Sequence, residues 1–452
     1  MRLSELIPNF EVEPVTDPLR ASIEALRLHR MMHAGNYLRF TSERGEFLAL
    51  AAARAIRARR PPEGVLLKTA QVVRSLKHPD EVRALRRIYG NGFYLIGVTV
   101  AEDQRRSHLY NDKGCTKDEI EALLRRDEHE EDARFVGTDG QNYGQRTRDT
   151  FHLADVFVPL DEERQVERFL KLIFGYPFET PTLDEYAMFL AFGASLRSGD
   201  LSRQVGAVVV TPAGDVVAVG ANDVPRAGGG LYWPGDDDRR DHRPVHDGPG
   251  KDSNEARRDK ILVDVLQRLR PEDVSEQDWI AKGRRLLKGS LLMDITEYGR
   301  AAHAEMEALL SCARSGVTTR GCTLYSTTFP CHNCAKHIIG AGIARVVYVE
   351  PYPKSQARDL FDDSIALRAP IRGRVMFDQF VGVGARRFID LFSMALSSGT
   401  VVKRKQSGGI AVDWSSEKAN VRVPMLPNSY LNREQVAEDE LHVLTTRPEE
   451  SR

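Results

Sequence analysis

Two short residue clusters, one on each side of a strand-like stretch, restrict this chain more than any other feature. His303-Ala-Glu305 opens a segment with helical spacing, and Pro330-Cys331-His-Asn-Cys334 opens another. Between them lies Leu324-Tyr-Ser-Thr-Thr-Phe329, rich in β-branched and aromatic residues, as strands are. One imidazole and two thiolates supply three ligands to a tetrahedral zinc and leave the fourth position to water. The CxxC spacing at a helix start brings both sulfurs to one side, and a helix N-terminus favours thiolate over thiol.

Glu305 stands two residues beyond His303. In a first helical turn its carboxylate lies beside the metal without being a ligand, where it can take a proton from water and deliver it to a substrate. A catalytic zinc lowers the pKa of its water towards ~7. Two other readings of CxxC compete. A redox pair calls for a thioredoxin-like context that the flanking sequence lacks, and a structural zinc site calls for a second CxxC or an HxxxH partner. His332 and His337 read as surface or packing residues, because the tetrahedron is already complete.

The other cysteines agree with this. An odd count of five in a large chain without an apolar N-terminal leader argues against a disulfide framework. Cys312 and Cys322 read as small buried residues. The N-terminus has no secretory signature and no apolar run approaches the ~20 residues of a membrane span, so the expected location is cytoplasmic. A net charge of −1 gives no global attraction to phosphate backbones. The densest basic run, Arg54 to Arg60, reads as the last turn of an amphipathic helix stopped by Pro61-Pro62 rather than a nucleic-acid patch.

The organisation reads as α/β throughout. In the first half, helices are expected at 18–34, 44–60 and 80–89. Strands are expected at 71–76, at the apolar run Phe93 to Val100, which reads as a buried parallel strand, and at 154–158, followed by a helix at 161–174. This βαβ rhythm ends near residue 178, where a Pro-containing stretch reads as a linker. The second half begins with a helix at 183–197 and the paired strands 205–210 and 216–220. It continues with helix 301–314, strand 323–327, helix 331–341 and strand 344–349. Residues 226–256, dense in Gly, Asp, Arg and His, interrupt it as a long loop. The tail from about 400 reads as polar and irregular, with a frayed end from Thr446 to Arg452.

At the zinc residues the chain resembles the deoxycytidylate deaminase family. H-x-E…P-C-x-x-C is the pattern of zinc nucleobase deaminases, which attack C4 of cytosine or C6 of adenine. More closely, the chain resembles the bacterial antiviral deoxycytidine-nucleotide deaminases fused to an N-terminal P-loop kinase-like domain. The likeness covers most of 183–435 and is carried by Ser198 to Ala207, Gly220-Ala-Asn-Asp-Val-Pro225, Leu231-Tyr-Trp-Pro234, Asp294 to Gly299 and Glu350-Pro-Tyr-Pro-Lys-Ser355.

The resemblance implies an α/β fold in three parts. Residues 1–178 form a P-loop kinase-like domain, 183–400 a cytidine-deaminase-like three-layer α/β/α domain with a mixed sheet, and 401–452 a C-terminal extension. It implies zinc-dependent hydrolysis of dCTP or dCMP to dUTP or dUMP and ammonia, in antiviral defence by nucleotide depletion, by a homo-oligomer such as a hexamer. His303, Cys331 and Cys334 are then the metal ligands and Glu305 the proton shuttle. Asn222 contacts sugar or base, with a turn cap as its alternative. Arg203, Lys354 and Ser355 are candidates for the phosphate end, each equally readable as solvated surface. The insertion holds His242 and His246 but no cysteine, so no second zinc is expected.

One departure is large. No G-x-x-x-x-G-K-[ST] occurs; the nearest fragment, Gly248-Pro-Gly-Lys251, is followed by Asp252. Without that phosphate cradle, Asp127, Arg146 and Arg148 read as solvated or interface charges, and 1–178 as a regulatory and assembly platform that either binds an inhibitory partner such as an RNA or places the active site at a subunit boundary. A nucleotide kinase is disfavoured by the missing Walker lysine, and two other functions compete with nucleotide deamination. A polynucleotide base deaminase acting on tRNA or single-stranded DNA is disfavoured by the near-zero charge and the absence of an aromatic–basic face. A nucleotide-sensing regulator is disfavoured by the intact Glu305.

Overall fold

The computed structural model describes residues 1–12, 22–61, 64–66, 68–128, 132–138, 140–235, 241–245, 252–288, 290–295, 298–352, 355–367 and 369–446. The expected frayed end from 447, His246, Lys354 and the fragment 248–251 lie outside them. The chain divides into two compact units, one of Met1–Pro181 with Val381–Arg452, the other of Thr182–Phe380. The second unit therefore ends at 380 rather than 400, and residues 381–446 pack within the N-terminal unit instead of forming a separate extension.

The N-terminal unit is built around the helix Phe47–Arg57, whose alanines and leucines are buried on nearly every side. The helices Ile23–Thr41, Pro79–Tyr89 and Pro427–Thr446 surround it. The last of these corrects the expectation of an irregular tail. Glu434, Ala437 and Leu441 turn inward at helical spacing, and Leu441 joins the core of Leu48, Leu50 and Ala52. The basic run meets this helix directly: Arg60 makes a two-pronged ion pair with Glu434, and Arg57 bonds Gln435 and Glu438. The run is thus an intramolecular seam.

Among the described residues this unit has one sheet, of three strands. Strand β1 (Ile96–Thr99) pairs in parallel with β2 (Val156–Pro159), which pairs antiparallel with Gly382–Val383 at the far edge. Two strand expectations change. β1 is an edge strand that leaves Ile96 and Val98 exposed, so its apolar run is not buried on both faces. Residues 71–76 form no strand; Arg74 alone bridges Arg2, and Ser75 adopts a left-handed φ of 71° that ends the extended run.

The second unit is a six-stranded mixed sheet with helices on both faces. In chain order its strands are β3 (Gly206–Val210), β4 (Val216–Ala221), β5 (Thr323–Thr328), β6 (Arg345–Glu350), β7 (Ile365–Ala366) and β8 (Val375–Gln379), arranged β4-β3-β5-β6-β8-β7. β3 is antiparallel to both β4 and β5, while β5, β6, β8 and β7 run parallel. Parallel pairing requires crossovers, and the helices His332–Gly340 and Ala357–Leu360 provide them. Ala207 and Val209 face a core shared with the helix Ala304–Arg314, and the opposite face receives the helix Leu183–Ser195.

Two glycines permit this closeness. A Cβ on Gly220 would stand 2.2 Å from Ala304 O, and one on Gly206 would stand 1.8 Å from Ala191 O, so any larger residue would push a helix off the sheet. The stretch expected as a loop to 256 gives way slightly earlier, at Asp252, which caps a helix, Ser253–Arg268, followed by Glu276–Leu286. Among the described residues no helix is long and apolar enough to cross a membrane.

Candidate metal centre and its cavity

The site forms where β4 and β5 end. His303 is the N-cap of Ala304–Arg314 and Cys331 the N-cap of His332–Gly340, both with extended backbone angles. A residue in that position precedes the helix while its side chain lies beside the first turn's unpaired amides, the positive end of the helix. Cys334 and Glu305 sit within those first turns. Gly220 sets the depth at which His303 arrives, because it lets Ala304–Arg314 rest on β4.

The three predicted ligands converge. His303 Nδ1 lies 3.2 Å from Cys334 Sγ and 3.3 Å from Cys331 Sγ, and all three ligand atoms fall within 4.8 Å of one another. Ligands about 2.0–2.3 Å from a tetrahedral zinc stand roughly 3.3–3.8 Å apart, so this donor set fits the ion. The protonation pattern also fits. Hydrogen bonds from Cys334 and His303 pull the Cys331 thiol down to about 4, and the bond to Cys331 lifts the His303 imidazole to about 9. Cys334, bonded to Cys331 and buried, is pushed well above the ordinary thiol range. Zinc takes a neutral imidazole and thiolates as ligands, so its binding releases the protons that these groups hold. Cys312 and Cys322 are buried in the core, as expected.

Glu305 is buried beside the cluster and accepts from the Cys334 thiol at 3.4 Å. Burial raises its pKa, so the carboxyl accepts a proton more readily than one in water. His303, Cys331 and Glu305 line a cavity of about 550 Å³, a size suited to a nucleotide.

The remaining predicted residues divide. Arg203 lines the cavity, but its guanidinium is paired with Glu350 at 2.5 Å and lies over the Tyr352 ring. Asn222 also lines it, though much of its amide is already engaged with the backbone of Arg203 and Val205. Ser355 does not line it. Its hydroxyl donates to Pro330 O at 2.7 Å and accepts from Ala357 N, which braces the turn that carries Cys331. In the N-terminal unit Asp127 pairs with Lys77 and Arg146 with Asp149, the structural roles expected for surface charges.

Sequence reasoning missed Asp223, His242, Asn254 and Arg300, all in the cavity wall. A signal existed for Asp223, an acidic residue directly after Asn222 whose side chain is almost fully buried. The others come from the insertion and the loop behind it, where no periodicity marks which side chains turn inward.

Residues 181–350 match the cytidine and deoxycytidylate deaminase zinc-binding region. Over 78 residues the chain is 42% identical to ComE operon protein 2 of Bacillus subtilis, a match covering 17% of this chain and 41% of that protein. A longer match, 29% identical over 205 residues, is to the deoxycytidylate deaminase of Pongo abelii, covering 45% of this chain and 79% of the relative. The deoxycytidylate deaminase of phage T2 is 46% identical over 54 residues, covering 12% of this chain and 29% of the phage protein.

The candidate zinc cluster of His303, Cys331 and Cys334 thus lies within the segment, residues 181–350, that matches the cytidine and deoxycytidylate deaminase class. Within that class, this chain is similar to deoxycytidylate deaminases.

Proposed function

We propose that this protein hydrolyses the amino group of deoxycytidine nucleotides, dCMP or dCTP, releasing ammonia and the matching deoxyuridine nucleotide. The observation that carries the reading is the meeting of His303, Cys331 and Cys334 with buried Glu305 at the wall of one nucleotide-sized cavity. Deoxycytidylate deaminases among the relatives support the substrate class.

His303, Cys331 and Cys334 would hold the zinc. When bound, zinc supplies Lewis acidity that makes a water acidic near neutral pH. The chain's own chemistry is proton transfer. Glu305 takes the proton of the attacking water as a C–O bond forms at C4 of the base, and passes it to the adjacent ring nitrogen. A second transfer through Glu305 delivers a proton to the amine as the C4–N bond breaks. Phe329 and Val224 give the cavity an apolar flank against which the base would pack.

The reading extends to the N-terminal unit, assigned a regulatory role because no phosphate-cradling glycine loop occurs in the sequence. Depletion of deoxycytidine nucleotides in defence and a homo-oligomeric state are further parts of the proposal, supported by the sequence resemblance.

The test is ammonia release by the purified full-length chain from dCMP, dCTP, CMP, AMP, single-stranded DNA and tRNA. Deamination of dCMP or dCTP at least ~10²-fold above the polynucleotides supports the proposal, that margin being the scale of a single well-placed catalytic interaction. Deamination confined to tRNA or DNA overturns it.

A further inference from the structure

Asp223 occupies an unusual place in the second unit. It is charged and almost fully buried, yet it is neither a metal ligand nor a proton carrier. Each of its polar groups fixes a different wall of the cavity. Its carbonyl accepts from Ala302 N at 3.0 Å, which sets the residue immediately before His303. Its Oδ1 accepts from Val224 N at 2.9 Å. Its Oδ2 accepts from Gly199 N at 3.4 Å, at the start of the turn that bears Asp200, Leu201 and Arg203. The same oxygen lies 3.4 Å from Arg243 Nη1, across an ion pair in which both side chains are buried.

Arg243 is the buried member of segment 241–245. Its guanidinium is held on its other edge by Asp241, at 2.7–3.1 Å. Its neighbours His242 and Pro244 both line the cavity, and the His242 carbonyl accepts from Arg300, another lining residue. One guanidinium between two carboxylates thus fastens a stretch of the insertion to the end of β4, where Asn222 and Asp223 lead towards the metal ligands. A buried charge pair is expensive to desolvate and contributes little net stability, so its presence here is better explained by the geometry it enforces.

We infer that Asp223 and Arg243 form a positioning pair that holds segment 241–245 against the cavity and thereby sets the affinity for substrate, leaving the metal and the proton transfers untouched. The inference rests on the nucleotide-deaminase reading for its kinetic consequence but not for its structural one. Without the pair, the wall formed by His242 and Pro244 loses its tether and substrate meets an incompletely shaped site. Glu305 and the zinc ligands remain fixed by their own helices.

The experiment compares full-length wild type with Arg243→Met, which keeps the apolar stem, and Arg243→Lys, which keeps the charge but not the fork. Zinc content, kcat and KM for dCMP and dCTP, and amide hydrogen exchange are measured. For Arg243→Met the expected result is one zinc per chain, kcat within about twofold of wild type and KM raised about tenfold, a loss of ~1.4 kcal/mol in binding. Arg243→Lys recovers part of the KM. Exchange rises about tenfold in peptides covering 198–203 and 241–245 and is unchanged in β5. An unchanged KM overturns the inference, as does a fall of kcat in step with lost zinc, which marks general unfolding. If wild type deaminates no nucleotide, the functional reading fails and exchange alone decides. Raised exchange confined to the two wall segments upholds the pair, and unchanged exchange refutes it.

Discussion

Asn222 and Arg203 are joined through the asparagine side chain, whose Nδ2 donates to Arg203 O at 2.8 Å while its Oδ1 accepts from Val205 N at 2.6 Å. The amide therefore closes the end of β4 onto the entry to β3. It holds the Arg203 backbone in the cavity wall and leaves one N–H and one lone pair for a ligand. The structural role is in place, and a ligand-binding role would use the donor and acceptor that remain. Asn222→Ala removes both bonds from a buried position, at a cost of roughly 1–3 kcal/mol. The expected outcome is a lower melting temperature together with a raised KM. A raised KM at unchanged stability indicates that the backbone bonds carry no weight.

The metal cluster gives a second prediction. Cys334→Ala leaves an imidazole and one thiolate, too few to hold zinc well. Metal analysis of the purified variant should find zinc and deaminase activity lost together. Zinc retained at one per chain contradicts the ligand assignment.

The C-terminal helix Pro427–Thr446 gives a third. Leu441 is completely buried against the helix Phe47–Arg57. Leu441→Ala should destabilise the N-terminal unit by about 2–5 kcal/mol, the range for a leucine cavity. Denaturant unfolding followed by far-ultraviolet circular dichroism measures this. A change under ~0.5 kcal/mol means that the helix does not dock as described.

His78 supplies a pH prediction. Its Nδ1 accepts from Asp80 N and its Nε2 contacts Asn142 O, an arrangement that requires the neutral ring. Burial, reinforced by the Arg39 charge, lowers its pKa from 6.5 to about 4. The unfolded chain therefore binds more protons between those values, and the stability from His78 is full above pH 6.5 and lost as pH falls towards 4. The slope has a ceiling of ~1.4 kcal/mol per pH unit. His78→Gln, measured beside wild type from pH 7 to 4.5, should show a shallower decline. Parallel curves mean that the ring is not held neutral.

The convergence of His303, Glu305, Cys331 and Cys334 was legible in the sequence because the cluster is local. His303 and Glu305 share one helix start, Cys331 and Cys334 another, and the strand between them fixes their meeting, so spacing alone conveys the geometry. Strands β3 to β6 of the second unit were legible for the same reason, as β-branched runs whose ends fell within a residue or two of expectation, whereas β7 and β8 were not expected at all. What failed was set by long-range contact. The helix at 427–446 carries polar residues that read as a tail until Arg57 and Arg60, far away in sequence, meet Glu434 and Glu438. β1 reads as buried because its composition is apolar, and nothing local discloses that it lies at a sheet edge. Arg203 and Ser355 were legible as polar residues near the site, but not their commitments to Glu350 and to Pro330 O.

The central claim is that Glu305 carries protons for a zinc site that deaminates deoxycytidine nucleotides. It is tested most directly by dUMP formation from dCMP with Glu305→Ala and wild type, matched for zinc content by metal analysis. The prediction is equal zinc in the two proteins, conversion by wild type, and a loss of at least ~10²-fold in kcat for the variant, the usual scale for removing a general acid–base group. Conversion by the zinc-loaded variant at a rate near wild type would contradict the account.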